Sequence, residues 1–156
     1  MTTDETELGR FVVAQRDDIG RALEEIDSGR KRSHWMWYMF PQVAGLGSSP
    51  MSRQYAIHSI DEAEAFLLHP TLGPNYQRLV DAVWHQVVEL GVTIESVFGS
   101  PDNVKLVSSL TLFAGVARRL DAADVSPVRM DDILRAAERE GLGRCTTTER
   151  FLAAAQ

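Results

Sequence analysis

Four times along the chain, a residue suited to capping a helix stands just before an apolar run: Ser59, Ser100, Ser126 and Thr146. Ser59-Ile60-Asp61-Glu62 has capping-box spacing, in which Ser59 and Glu62 satisfy each other's otherwise unpaired amides. Ala63, Phe66 and Leu67 follow, and His69-Pro70 ends the run. Ser100-Pro101-Asp102 places a serine at the N-cap, a proline at the first helical position and an acid at the positive end of the helix dipole, ahead of Val104 to Leu120. Ser126-Pro127 opens a helix reaching Glu140, and Thr146-Thr147-Thr148-Glu149 reads as a second capping box before Phe151 and Leu152.

Two further helices follow from periodicity. From Glu7 to Asp27, one face carries Phe11, Gln15, Ile19, Leu23 and Ile26, leaving Arg16, Asp17, Asp18, Glu24 and Glu25 for solvent, and Ser28-Gly29 supplies the stop. A helix opening near Pro74 runs through Tyr76, Leu79, Val80, Val83 and Val87 to Gly91. The pattern predicts an all-α fold: a single multihelical domain of six or seven helices, with an irregular aromatic-rich segment after the first. No repeat, low-complexity stretch or long Gly/Ser linker divides the 156 residues, so one domain over 1–156 is expected, with residues 1–6 flexible.

Charge and cysteine usage narrow the function classes. A net charge of −6 gives no overall attraction for phosphate backbones, so nucleic-acid binding would rest on Arg30-Lys31-Arg32 alone, and it is not expected. Cys145 is the single cysteine, which rules out a disulfide within the chain and a thiolate metal site built from it. The opening residues are acidic and polar, and nowhere do about 18 apolar residues run together, so no membrane span is expected. A reducing, cytoplasmic location fits this usage.

The stretch Arg30 to Gln42 follows no helical period. Trp35, Trp37, Tyr38 and Phe40 lie within six residues, interleaved with Lys31, His34 and Gln42 and followed by the loop Gly45-Leu46-Gly47-Ser48-Ser49-Pro50. Large aromatics dominate ordinary cores, and a plain core accounts for Trp35, Met36 and Phe40. It accounts less well for the polar residues among them, because buried polar groups need partners. A ligand supplies such partners if a ring stacks on Trp35 or Trp37 while Lys31 meets an anion; backbone carbonyls supply them too. The loop lacks both the lysine of a Walker motif and a dinucleotide fingerprint.

A second constellation lies after Pro101, where Asp102, Lys105, Ser109 and Phe113 recur at three- and four-residue spacing and share a helix face. Read plainly, it is an exposed ion pair above packing residues. Read functionally, Asp102, Lys105 and Ser109 complete a polar pocket with Lys31, Trp35, Trp37 and Gln42. Ser109 has no nucleophile elbow or positioned base, and His34 has no readable partner to tune it, so these two are the weak candidates for catalysis. No HExxH or other paired metal-ligand spacing occurs, and no metal is expected; His58 and His69 read as a surface group and a helix-dipole partner.

Gly29 to Gln42, Gly45-Leu46-Gly47, Ser52-Arg53-Gln54-Tyr55-Ala56-Ile57, His69-Pro70-Thr71-Leu72-Gly73, Phe98-Gly99-Ser100-Pro101-Asp102 and Thr111-Leu112-Phe113 resemble, in order, the family known as domain of unknown function 1810 (DUF1810). The resemblance runs from Phe11 to about Leu152 and implies a small, multihelical, single-domain bacterial protein without an established activity. Some members carry the label calpastatin, but calpain inhibitors are disordered, which the aromatic density and repeated caps here oppose. A distant similarity to the superfamily associated with NAD and ADP-ribose processing suits an aromatic and cationic pocket. The chain departs from the family pattern at Ile133 to Gly141. The expectation is a protein that binds or processes a small anionic, nucleotide-like metabolite, ADP-ribose- or NAD-related. The alternative is a non-catalytic interaction module presenting the Trp-rich segment to a partner protein.

Overall fold

The computed structural model describes residues 8–120 and 125–155. The expectation of flexibility at residues 1–6 lies outside them. Among the described residues the chain forms nine α-helices and no strand. The six longer helices are α1 (Gly9–Asp27), α4 (Ile60–Leu68), α5 (Leu72–Trp84), α7 (Asp102–Arg119), α8 (Val128–Arg139) and α9 (Thr146–Ala154). Three short ones, α2 (Met36–Met39), α3 (Pro50–Gln54) and α6 (Ile94–Phe98), escape the periodic reading because four or five residues cannot display a helical period. The all-α expectation holds, and its count of six or seven matches the longer helices alone.

Helix α7 is the central element, packing against α4, α6, α8 and α9, while α5 joins α1, α4 and α8. Its stripe of Asp102, Lys105, Ser109 and Phe113 descends from surface to core: the first two side chains are 21% and 28% exposed, and the last two are fully buried. A chain of rings fills the interior, with Phe66 5.0 Å and Tyr76 4.7 Å from Phe113, Tyr76 5.6 Å from Phe40, and Phe40 6.3 Å from Trp35. Each such side chain contributes about 1.5–3 kcal/mol by leaving water. Buried polar groups are paired in this core: Tyr76 and Ser109 share a hydrogen bond of 2.8 Å, and Asn75 donates to Gln15, which donates to the Tyr38 carbonyl.

The start and stop signals are partly corrected. Ser59 accepts from the Glu62 amide as expected, but Glu62 returns its bond to the amide of His58 rather than to that of Ser59. Helix α5 begins two residues before Pro74, and after Trp84 it continues only as a π-helical turn, His85–Glu89. Ser100 makes no cap bond to α7, whose flanking residue is Pro101, and Ser126 instead bonds the Val128 amide. At α9 the cap position is Cys145, and Thr148 is buried with its hydroxyl 3.0 Å from the Cys145 sulfur. His69 is buried, its Nδ1 accepting from the amides of Thr71 and Leu72, so it serves the start of α5 rather than the dipole of α4. Gly73 is required there, because a Cβ would lie 2.1 Å from the Leu67 carbonyl oxygen.

Candidate functional site

The aromatic segment hangs from one carboxylate that the sequence reading left in solvent. Glu25, near the end of α1, is only 6% exposed. It accepts from the amides of Arg32 (2.8 Å) and Ser33 (2.9 Å), from the Ser33 hydroxyl (2.6 Å) and from the Trp35 indole (3.0 Å). Burial alone would raise its pKa, but these donors favour the ionised form and lower it from 4.5 to about 2. The chain reverses at Gly29, whose positive φ of 83° suits glycine, and this turn brings residues 30–35 back over α1. No local pattern announces the arrangement, since Glu25 and its partners are seven to ten residues apart in sequence.

Lys31 is committed in the same way. Its ammonium is 2.8 Å from Asp102, donates to the Ser33 carbonyl and lies 4.9 Å from the Trp35 ring centre, with the side chain 6% exposed. Asp102 also faces Lys105 at 3.7 Å, and the Lys105 ammonium lies 5.8 Å from the Trp37 ring. The structure therefore brings Lys31, Trp35, Asp102, Lys105 and Trp37 into one cluster at the start of α7. Within it, Trp35 is completely buried with its N–H on Glu25, so its ring has no face for a ligand. Ser109 is buried against Tyr76 and His34 is exposed, so these two catalytic candidates do not meet.

Trp37 and Gln42 line a concave pocket of about 230 Å3. The two ends of its wall are tied together where Val43 and Ile57 form one parallel bridge: the Ala44 amide donates to the Ile57 carbonyl (2.8 Å), and the Ile57 amide to that of Gln42 (2.9 Å). The intervening loop folds onto α3, whose Ser49 cap accepts from the Ser52 amide. Gly47 sits so close that a Cβ there would be 2.6 Å from the Ser52 hydroxyl. Arg53 donates to the Ser48 carbonyl, holding its guanidinium at the rim, and His58 completes the wall. Among the described residues, no acidic one lines this pocket. The sequence reading missed Arg53, Tyr55 and His58 as wall residues. Their one signal was closeness in sequence to the glycine loop, and that becomes a pocket only once Val43 pairs with Ile57.

Of the segment's large aromatics, Trp35, Tyr38 and Phe40 are buried and Trp37 is half-buried. That removes the contiguous exposed aromatic patch on which the interaction-module alternative rested. Among the described residues, no group of three or more His, Cys, Asp or Glu side chains is placed to hold a metal ion, and no helix is long and apolar enough to cross a membrane.

Residues 5–126 match the family described as "Protein of unknown function (DUF1810)", and the chain belongs to that family. It is also similar to a solved structure, that of the conserved hypothetical protein Rv1873 from Mycobacterium tuberculosis. The two are 41% identical with a TM-score of 0.80, over 94% of this chain and 96% of the other. Among curated proteins, none matches the chain.

Proposed function

We propose that this DUF1810 protein binds a small anionic metabolite carrying a planar ring, in the pocket between Trp37, the 44–47 loop and α3. One observation carries the reading: in a chain of net charge −6, this pocket is lined by a half-buried indole, an arginine and a histidine with no acid. Local positive potential in such a concavity concentrates anions against the global field. The indole offers a face for stacking, and Gln42 offers both donors and an acceptor for ring substituents. Every lining residue falls inside the segment that defines the family.

Size narrows the ligand. Pockets for drug-sized ligands span about 300–1,000 Å3, and about 230 Å3 favours a single ring bearing one carboxylate or phosphate over a whole NAD or ADP-ribose molecule. In this reading Lys105 lends charge beside Trp37, whereas Lys31, Asp102 and Trp35 hold the segment in place and do not touch the ligand. The reading is binding without assigned turnover, because neither His34 nor Ser109 lines the pocket.

The test is a fluorescence and thermal-shift titration with ring carboxylates such as nicotinate, ring phosphates such as pyridoxal phosphate, AMP, ADP-ribose and NAD. A ligand at 100 times its dissociation constant raises stability by about 2.7 kcal/mol. Saturable binding of a single-ring anion, weakened about tenfold or more in Arg53→Ala and silent in the fluorescence of Trp37→Phe, supports the reading. If no compound of the panel binds a cooperatively folded protein, or if binding survives both substitutions unchanged, the reading fails.

A further inference from the structure

A second concavity, of about 400 Å3, lies where α8 and α9 each pack on α7. Its residues lie on α7, on the Leu142–Arg144 turn, and on α8 and α9, most of them beyond position 126. The floor is apolar, built from Val107, Leu134, Leu142 and Leu152. The rim carries Arg118, Arg135 and Arg144 against Asp131, Glu138 and Glu149, which balances to no net charge. This is a different chemistry from the acid-free pocket at Trp37, and it asks for a different ligand.

The rim charges differ in their commitments. Arg118 uses one nitrogen, Nη1, on both oxygens of Asp131 (2.9 and 3.1 Å), leaving its other N–H groups unbonded among the described residues. Arg144 is likewise held by Glu149 at 3.1 Å. Glu138, which also lines the groove, has no ion-pair partner among the described residues. The groove thus offers a buttressed guanidinium at one point and a free carboxylate at another. Asp131, beside Arg118, and Glu138 lie on one face of α8 seven residues apart, a separation of about 10 Å along the helix. An extended peptide rises at most about 3.3–3.6 Å per residue, so about three residues span that distance.

We infer that the α7–α8–α9 groove is a binding site for short apolar peptides of about three residues, with the terminal carboxylate on Arg118, the terminal ammonium on Glu138 and the side chains on the apolar floor. A free amino acid places its two charges too close together to reach both ends. An uncharged apolar ligand leaves the ionic rim unused, and a lone anion leaves Glu138 unmatched.

The test is calorimetric titration of the whole chain with leucyl-alanyl-leucine, its N-acetyl and C-amide derivatives, and leucine. The tripeptide is expected to saturate, each blocked terminus to weaken binding about tenfold or more, and leucine to give no saturable heat. Glu138→Gln should lower affinity for the free tripeptide to that of its N-acetyl form, with no further loss for the acetylated peptide. Ala153→Trp, at an exposed position on the groove wall, should abolish tripeptide binding while melting and single-ring-anion binding at the Trp37 pocket stay unchanged. Absence of tripeptide binding overturns the inference. So do equal affinities for the free and blocked peptides, which would mark a merely greasy groove, and tripeptide binding that persists in Ala153→Trp. Because the anion titration reads the other pocket, the two proposals fail independently.

Discussion

Replacing Glu25 by glutamine should destabilise the protein by about 2–3 kcal/mol at neutral pH, and that cost should shrink as the solution is acidified. The lowered pKa sets the magnitude: a fall from 4.5 to about 2 corresponds to roughly 3 kcal/mol at about 1.4 kcal/mol per unit. Solvent beside the end of α1 screens part of this, so the lower range is expected. The sign follows from the direction of the shift. A depressed carboxyl pKa stabilises the fold fully above the unfolded-state value near 4.5, and this contribution is lost as pH falls towards 2. Glutamine keeps the shape but has one acceptor oxygen where the carboxylate has two, and its amide nitrogen faces donors. The assay is urea unfolding of both proteins at pH 7, 4 and 2.5, read as the difference between them so that other titrating groups cancel. A difference below about 0.5 kcal/mol at pH 7, or one that does not narrow with acid, would refute the view that ionised Glu25 anchors the aromatic segment.

Three other perturbations test the packing. Trp35→Ala should cost about 3–5 kcal/mol in denaturant unfolding, because the side chain is completely buried and loses its bond to Glu25. Gly73→Ala should cost about 3 kcal/mol or more and lower the melting temperature sharply, since its Cβ meets a backbone oxygen that no rotamer change can move. Tyr76→Phe should cost about 1–3 kcal/mol by stranding the buried Ser109 hydroxyl, and adding Ser109→Ala should recover part of that loss. A double variant no more stable than the single one would show that the hydroxyl pair is not the source of the cost.

Residues a few positions apart could be read directly. The face of Phe11, Gln15 and Ile26, the Ser59 cap and the apolar run of α7 are each set by bonds and contacts spanning at most about one turn, and all three stand in the structure. The short helices α2, α3 and α6 are too brief to show a period, although Ser49 and Thr93 cap α3 and α6 as Ser59 caps α4, and nothing local marks the absence of a Ser100 cap on α7. For the candidate site, the sequence offered two separate groups, Lys31 among the aromatics and Asp102 with Lys105 on one helix face, and folding joins them through the ion pairs of Asp102.

What the sequence determined by itself was the class of fold and the segment where polar and aromatic groups concentrate, because helix capping and periodicity are local and amphipathic faces must find one another. Only the tertiary structure decided that Trp35 goes inward and Trp37 lies at a pocket. Residues two apart fall on roughly opposite sides of a helical turn, and which side meets the core depends on where α1 and α7 stand. It also decided that Glu25 is a buried acceptor rather than a solvated charge. A carboxylate's environment is set by the donors folded back onto it, and those donors arrive through a turn at Gly29 that no helical spacing encodes.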